Sequence, residues 1–409
     1  MDHKARYQAL VEFLLPYQEI WRNEIMLQYP HSLEGYNPLW IEELKGHTAP
    51  HKTWPLIQNV GWNQLKAPGL AAFHAKLQEL TQFPALESLR PMKTVRLSWI
   101  HIIPKKRHEL ERLAPLVASL LEGKEQLVDI GGGQGHLAQT VAHHYGAKVL
   151  SLDMDPELQA TGKHWQEVKW ETSPHQVEFK LHKVERRDKV FAGLMNEHTV
   201  TTGLHTCGPL AVAHLEAAVL ARATVLNMPC CYHKQGLEDC NLSTVAQGLP
   251  LDFNQYALTL ASGAHFRVSE ADIVFRNQIK LYRYTLHFLL HHEFEVKEQV
   301  KLGPCAPEFY HGPFPRYVHE QLKRLGLESN WSDERLQAYL ERPAQQELIQ
   351  GMLAAAILRD ALGRALEAAI ICDRAIWMEE QGYAVELIEV FDPHISPRSL
   401  GLVARRIQV

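Results

Sequence analysis

The chain has 409 residues, of which 46% are hydrophobic and 22% charged, and its formal net charge is −5. This length and composition are typical of a globular protein with two or three domains, and they exclude a disordered or fibrous chain. The slightly acidic net charge excludes a protein that binds nucleic acid through its overall positive charge. It does not exclude a local basic patch.

The amino-terminal segment and the cysteines bear on where the protein works. Glu12 interrupts the first apolar stretch, no small-residue cleavage site follows it, and no apolar window reaches the length of a membrane span. Six cysteines in a chain of this length do not form the pattern of a secreted disulfide framework. We therefore expect a cytoplasmic protein with reduced thiols and no association with membranes.

Four segments can be distinguished along the chain. Residues 1–95 show short helical patterns separated by turn-rich stretches such as "YPHSLEGYNP", and they predict an N-terminal helical domain. Residues 96–235 alternate strand and helix patterns, and residues 236–345 predict a mostly helical insertion. Residues 346–409 predict one last helix and two strands, which we expect to complete the sheet of the second segment.

The second segment sets the fold class. Its predicted strands are "QLVDI", "AKVLSLD", "VEFKLHKV", "TVTTGLHT" and "ATVLNMPC", and helices are predicted at 104–123, 136–145, 156–168 and 209–221. Such alternation implies a parallel sheet that is covered by helices on both faces. We therefore predict an α/β protein with a doubly wound, Rossmann-like sheet.

A glycine-rich turn joins the first predicted strand to its helix in "LVDIGGGQGHLAQT". Glycine permits backbone angles that side chains resist and lets the backbone approach a ligand closely, both of which a nucleotide-binding turn requires. An acid at the end of the second strand can accept from both hydroxyls of a ribose. The predicted cofactor-binding residues are Asp129, Gly131, Gly133, Gly135, His136, Asp153 and Met154.

Two kinds of cofactor fit this turn. Gly133, Gly135 and Ala138 satisfy the dinucleotide fingerprint G-x-G-x-x-A, so an NAD-dependent oxidoreductase has to be considered. However, an acid at Asp129 would repel a pyrophosphate, whereas it would attract the sulfonium and ammonium of S-adenosylmethionine. The pattern therefore favours an S-adenosylmethionine-dependent methyltransferase over a dehydrogenase.

A second constellation of polar residues lies in "GLHTCGPLA", 203–211, and "NMPCCYHK", 227–234. Both segments follow strands that should be neighbours in the sheet, and ligands bind at the carboxyl edge of such sheets. We therefore expect five side chains to converge beside the cofactor: His205, Cys207, Cys230, Cys231 and His233.

Three interpretations of this cluster remain open. It can line a substrate pocket, it can hold zinc through the two i, i+2 pairs of His and Cys, or it can consist of packed structural residues. The C-x-x-C pairs of structural zinc sites are absent, so we predict no metal. Methyl transfer needs alignment and a base rather than a covalent intermediate, which makes His205 and His233 the candidate bases. The predicted catalytic residues are His205, Cys207, Cys231 and His233.

Two further stretches are candidates for substrate binding. "PKKRHE", 104–109, places three cations at the start of a helix, where they oppose the helix dipole. These cations either bind a phosphate-bearing substrate or are simply solvated charges on the helix surface. "DPHISPR", 392–398, joins two predicted strands and supplies either a structural turn or a contact to a substrate anion. The predicted substrate-binding residues are Lys105, Lys106, Arg107, Tyr232 and Arg398.

Six motifs together resemble a known family. "PKKRHELERLA", "VDIGGGQGHL", "GLHTCGPL", "PCCYHK", "ICDRAIWMEEQGY" and "FDPHISPRSLGLVARR" follow the order and spacing of the methyltransferase-like protein 25 family. The resemblance runs from about residue 93 to the C-terminus and implies a class I, Rossmann-like methyltransferase domain that uses S-adenosylmethionine. "HTCG" and "CCYH" also resemble segments of the tRNA 2′-O-methyltransferase family Trm13, although Tyr232 replaces one of its paired histidines and its zinc-finger regions are not visible.

The acceptor of the methyl group stays open at this point. RNA, either tRNA or rRNA, is one candidate and would require a positive surface from Lys105 to Arg107. A protein or small molecule is the alternative, and a small molecule would require a closed pocket capped by residues 236–345. A scaffold that binds the cofactor without catalysis is a third class. We infer no obligate protein partner.

Overall fold

The computed structural model describes residues 1–87, 99–170, 173–263, 269–296, 300 and 305–407. The chain divides into two compact units, each built from separate stretches of sequence. The first unit contains residues 1–16, 79–267 and 363–409, and the second contains residues 17–78 and 268–362.

A seven-stranded sheet lies in the first unit. Its strands are β1 Gln126–Ile130, β2 Val149–Asp153, β3 Val177–Leu181, β4 Thr199–Thr206, β5 Thr224–Pro229, β6 Tyr383–Glu389 and β7 Leu400–Arg406. They lie in the order β3-β2-β1-β4-β5-β7-β6. β1 pairs in parallel with β2 and β4, whereas β7 is antiparallel to both β5 and β6. The order reverses between β1 and β4, and ligands bind outside the carboxyl ends of the strands at such a point.

The sheet is buried on both faces because apolar residues continue along its central strands. In β1, Leu127 packs into the hydrophobic core on one face and Val128 into the core on the other. Both side chains are fully buried. Burial on two sides removes the polar alternation of a half-exposed strand, as is typical of parallel sheets.

Helices surround the sheet and build the second unit. Their bounds are α1 His3–Leu14, α2 Gln18–Trp21, α3 Pro38–Lys45, α4 Pro50–Ile57, α5 Leu70–Thr81, α6 Pro104–Leu120, α7 His136–Tyr145, α8 Pro156–Trp170, α9 Lys189–Ala192, α10 Leu210–Ala221, α11 Thr244–Gly248, α12 Gln255–Gly263, α13 Glu270–Glu293, α14 Pro307–His311, α15 Phe314–Arg324, α16 Asp333–Leu340 and α17 Pro343–Glu380. Local chemistry sets several ends: Pro104 occupies the first turn of α6, and Ser269 with Asp272 forms a capping box on α13.

The predicted α/β class is confirmed by this sheet. Its strands and their helices lie within a few residues of the predicted positions, and the last two strands do return to the same sheet. Among the described residues, none of the helices combines the length and the apolar character needed to cross a bilayer.

The boundaries of the two compact units differ from those of the four predicted segments. Residues 1–16 belong with the sheet, and residues 17–78 belong with residues 268–362 rather than forming a domain of their own. The short helices of 17–78 find partners there: the Asn277 side chain donates to the Thr48 carbonyl oxygen at 3.1 Å, and the rings of Tyr29 and Phe288 lie 4.5 Å apart. Helices this short need tertiary packing for stability. The predicted boundary at 95/96 lies outside the described residues.

Candidate active site

The glycine-rich turn between β1 and α7 depends on glycine for two different reasons. Gly131, Gly133 and Gly135 have φ of 59°, 56° and 68°, in the left-handed region that glycine adopts without strain. At Gly132 the limit is space, because a Cβ there would lie 2.4 Å from the Ser151 hydroxyl oxygen. At Gly135 a Cβ would also lie 2.6 Å from the ring of Phe179.

Asp153, at the end of β2, holds this turn in place. Its Oδ2 accepts from the backbone N–H of Gly133 at 2.7 Å, and its Oδ1 accepts from the N–H of Asp155 at 2.9 Å. Each carboxylate oxygen has a second lone pair, so the group can accept further hydrogen bonds from a ligand. Its neighbour Met154 is 65% exposed. An exposed apolar side chain beside this acid is compatible with the predicted ligand contact.

Asp129, in β1, is buried to 2% exposure and lies behind the turn. Burial raises the pKa of its carboxyl to about 7, the negative charge of Asp153 adds to the rise, and the positive charge of Lys106 opposes it. The cause is physical: a carboxylate in a low-dielectric site is costly without a cation close by. A cationic ligand group would supply the missing charge.

His136, the first residue of α7, is neutral at physiological pH. Burial lowers the pKa of its imidazole to about 4, and the charges of Lys169 and Lys106 lower it further. A neutral imidazole at this position can donate or accept one hydrogen bond without adding charge.

His205 is placed by an irregularity in β4. The pairing of β4 with β5 shifts register between Leu204 and Thr206, and His205 adopts a φ of 64° in the left-handed region. Its Nε2 lies 3.0 Å from Oε1 of Glu109, in α6. A carboxylate only accepts, so Nε2 carries the proton in this pair and the Nδ1 lone pair is left to take a proton.

Glu109 connects α6 to the site. It is fully buried, its Oε1 also accepts from the Ser396 hydroxyl at 2.7 Å, and its Oε2 lies 2.7 Å from Nζ of Lys106. Burial alone would raise the pKa of Glu109, but the hydrogen bond from His205 and the charge and hydrogen bond of Lys106 outweigh it and hold the pKa well below its usual range. Glu109 is therefore an ionised carboxylate that orients His205.

Three thiols meet where β4 and β5 end. The Sγ atoms of Cys207 and Cys230 are 3.1 Å apart, those of Cys230 and Cys231 are 3.5 Å apart, and all three lie within 4.8 Å of one another. The hydrogen bond from Cys230 lowers the pKa of Cys207 to about 5, while the same contact raises the pKa of Cys230. One thiolate, stabilised by its neighbours and by the charge of Lys234, is thus favoured on Cys207.

His233 follows Tyr232 in a short 3-10 turn after β5. Its Nδ1 lies 3.1 Å from Oγ of Ser262, and that hydroxyl donates to the carbonyl oxygen of Leu258 at 2.9 Å. The hydroxyl proton is already used, so His233 Nδ1 is the donor and its Nε2 keeps the lone pair. Both predicted bases therefore have one ring nitrogen anchored and the other available.

The structure corrects part of the predicted substrate set. Tyr232 is 1% exposed and its ring packs 5.5 Å from the guanidinium of Arg374, so its side chain belongs to the core and not to a substrate surface. Arg107 pairs with Glu111 at 2.8 Å and lies over the ring of Trp99. Its side chain is half exposed, so its role in substrate binding stays a prediction.

Lys105, Lys106 and Arg398 are placed differently from one another. Nζ of Lys105 lies 3.6 Å from Glu109, and its side chain is 45% exposed. Lys106 is closer to the same carboxylate and also acts on Asp129. Arg398 is half-buried and lies near Tyr232, where burial raises the pKa of the tyrosine and the charge of Arg398 partly opposes that rise.

Sequence reasoning missed the residues that orient the bases. Glu109 carried a usable signal, since it follows Lys105 and Lys106 at helical spacings of four and three. Ser262 and Ser396 carried none, because they lie 29 residues from His233 and 287 from Glu109 along the chain. Contacts of serines at such separations can be recognised only in the three-dimensional structure.

Comparisons with known proteins agree with this geometry. Residues 105–236 match the family model of a methyltransferase domain. A mouse (Mus musculus) protein named as a probable methyltransferase-like protein 25 is 29% identical over 240 residues, which cover 52% of this chain and 38% of that protein. The match thus spans little more than a third of the relative. It supports the resemblance inferred from the six motifs, whereas the resemblance to Trm13 finds no support in these matches.

Solved structures give weak similarities only. Escherichia coli YjhP is 15% identical, with 57% of this chain and 93% of that chain covered and a TM-score of 0.24. Coclaurine N-methyltransferase, solved with N-methylheliamine and SAH, is 11% identical, with 99% and 94% covered and a TM-score of 0.26. The fold assignment therefore rests on the strand order and the domain match.

The chain contains a methyltransferase domain, and domains of this kind use S-adenosylmethionine. The domain spans β1 to β5 and so includes the glycine turn and both His/Cys segments. This match favours the methyl-donor interpretation of the turn over the NAD-dependent one.

Proposed function

We propose that this chain is an S-adenosylmethionine-dependent methyltransferase that binds the methyl donor at the β1–α7 turn and its acceptor at the ends of β4 and β5. The observation that carries the proposal is the methyltransferase-domain match over 105–236, which covers both places. The two places lie at the same carboxyl edge, on either side of the point where the strand order reverses.

The residues of the turn suit this donor. Gly131 is exposed, and a Cβ at Gly133 would meet only Leu158, at 3.8 Å, so bare backbone faces outward. Asp153 can accept from ribose hydroxyls, and the buried carboxyl of Asp129 is suited to a cationic group. S-adenosylmethionine supplies a methyl group on a sulfonium, which a nucleophile takes by direct displacement.

Two histidines can serve the acceptor. His205, oriented by Glu109, offers Nδ1, and His233, oriented by Ser262, offers Nε2. Either nitrogen can take the proton of an acceptor hydroxyl or ammonium, and such a base contributes typically about 10²- to 10⁴-fold in rate. We assign His205 the role of base, because a buried carboxylate behind an imidazole also stabilises the imidazolium that forms.

RNA is the acceptor that we would test first. The Lys105 ammonium lies 3.6 Å from the buried Glu109 carboxylate and its own side chain is 45% exposed, so it can also meet a phosphate from the solvent side. The Arg107 pair with Glu111 is exposed on both sides, so Arg107 can contribute to the same basic surface. A protein or small-molecule acceptor is the alternative.

Calorimetric titration of the purified chain with S-adenosylmethionine, S-adenosylhomocysteine and NAD tests the donor. We expect micromolar binding of both adenosyl compounds and none of NAD. Labelled methyl transfer into cell extract, followed by nuclease or protease treatment, then identifies the acceptor class. Tight NAD binding without binding of S-adenosylmethionine would refute the proposal, and label that survives nuclease would exclude RNA.

A further inference from the structure

The three thiols have no role in the proposed methyl transfer, which needs a donor site and a base. Cys207 comes from the segment after β4, and Cys230 and Cys231 come from the segment after β5. We propose that Cys207, Cys230 and Cys231 together bind a zinc ion at the ends of these two strands. This inference goes beyond methyl transfer and does not depend on it.

The spacing of the sulfurs is close to that of a zinc site. Zinc–thiolate bonds of about 2.3 Å in tetrahedral geometry place two sulfurs roughly 3.8 Å apart. The observed separations are 3.1 and 3.5 Å, and the third pair lies within 4.8 Å. The two shorter separations would have to lengthen by about 0.7 and 0.3 Å to reach this value, which rotation of the side chains can supply.

The backbone holds the two segments together. Gly208, just after Cys207, has a φ of 59°, and a Cβ there would lie 2.8 Å from the carbonyl oxygen of Lys234. Parallel pairing of β4 with β5 extends to Thr206 and Pro229, next to the cysteines. The thiols are therefore set by the sheet and not by flexible loops, as a preorganised metal site requires.

Packing alone is a poor explanation of the cluster. A buried cysteine usually acts as a small apolar residue that packs alone, as Cys372 does in α17. Here two of three thiols, those of Cys207 and Cys231, are partly exposed and adjoin a third that is buried. Polarizable thiolates at one point select soft or borderline metals, and partial exposure provides a route of entry.

Three protein ligands leave one position of a tetrahedral zinc ion for water or a substrate atom. Sequence reasoning had predicted no metal from the lack of C-x-x-C pairs, which are typical of closed structural sites but are not required at an open one.

Metal analysis of the full chain tests the proposal. We expect about one equivalent of zinc in protein purified under reducing conditions without chelator. Replacement by cobalt(II) should give the intense visible and near-ultraviolet bands of a tetrahedral thiolate site. Cys207→Ser and Cys231→Ser should each weaken zinc binding by about a hundredfold or more, since loss of an outer-shell partner already costs about 10- to 100-fold.

Cys372→Ser and Cys305→Ser are the matched controls, and both should keep the metal. Circular dichroism of every variant separates loss of a ligand from loss of the fold, and Cys231→Ser is the most tolerant variant because its side chain is partly exposed. The proposal is wrong if the wild type takes up no more zinc than Cys207→Ser, or if mass spectrometry finds Cys207 and Cys230 joined as a disulfide in the reduced preparation. Both measurements are independent of donor binding.

Discussion

The proposed donor side and the proposed acceptor side of the sheet edge are built in different ways. The donor side is local, because residues 127–155 contain the glycine-rich turn, Asp129 behind it and Asp153, which holds it in place. Its shape is set mainly by the backbone conformation of the glycines. The acceptor side collects side chains from α6, β4, β5, α12 and the segment between β6 and β7. A site made of backbone leaves a motif in the sequence, whereas a site made of distant side chains leaves scattered residues.

Lys106 is where the two sides meet. Its ammonium pairs with Glu109 on the acceptor side, and its charge also acts on Asp129 and His136 on the donor side. The two halves therefore share one cation. Substitutions on one side, and the pH dependence of donor binding, can test how far the donor side and the acceptor side are independent.

The largest effect is expected from Gly135→Ala on the donor side. The added Cβ would meet the Phe179 ring at 2.6 Å at a φ of 68°. Left-handed strain and overpacking together should cost about 2–4 kcal/mol of stability, and binding of S-adenosylmethionine should fall below detection by calorimetry. Gly248→Ala, where a Cβ meets nothing within 4 Å, should bind as the wild type does. Unchanged affinity in Gly135→Ala would mean that the turn does not contact the donor.

The next effect is expected from Glu109→Ala on the acceptor side. Loss of the carboxylate frees His205 from its orientation and leaves Lys106 and Ser396 without their partner, at a cost of about 1–3 kcal/mol in stability. Turnover should fall about a hundredfold while the Kd for S-adenosylmethionine stays within a few-fold, as single-turnover kinetics and calorimetry would show. Glu111→Ala, which removes an exposed pair only, should leave both unchanged. Full turnover in Glu109→Ala would argue against His205 as the base.

Asp153→Ala tests the acid that binds the turn and, in our proposal, the ribose. It removes an acceptor of the Gly133 N–H and one or two hydrogen bonds to the donor. Hydrogen bonds to charged groups contribute about 1.5–3 kcal/mol, so the Kd for S-adenosylmethionine should rise about 10- to 100-fold. Asp155→Ala, two residues further on, should change the Kd far less. Equal losses in both variants would show that the effect is loosening of the turn and not loss of a ligand contact.

The smallest effect is a pH dependence of donor binding. The pKa of Asp129 in the free protein is raised to about 7, so below pH 7 a cationic donor must displace its proton. Affinity should therefore increase about 15-fold as pH rises from about 5.5 to 7, because the ionised fraction rises by that factor. Asp129→Asn should bind more weakly and lose this dependence. A dependence that persists in Asp129→Asn would have to come from another group.

Prediction from sequence worked where the signal was local and periodic. The strand "QLVDI", the turn and the helix at 136–145 were each readable because burial on two faces, glycine and helical spacing act over a few residues. The sequence did not show that the side chain of Tyr232 is buried, because exposure is a tertiary property. A sequence does not show whether a tyrosine lies at a pocket or beneath it.

The sequence by itself determined the α/β class, the position of the donor turn and the convergence of the His and Cys segments on one sheet edge. Strand periodicity and the geometry of parallel sheets require all three. Only the tertiary structure decided that Glu109 and Ser262 contact His205 and His233, that the three thiols lie within 4.8 Å of one another, and that residues 17–78 pack with 268–362. These are contacts between residues far apart in the chain, and their free energy comes from burial and pairing that no short window of sequence contains.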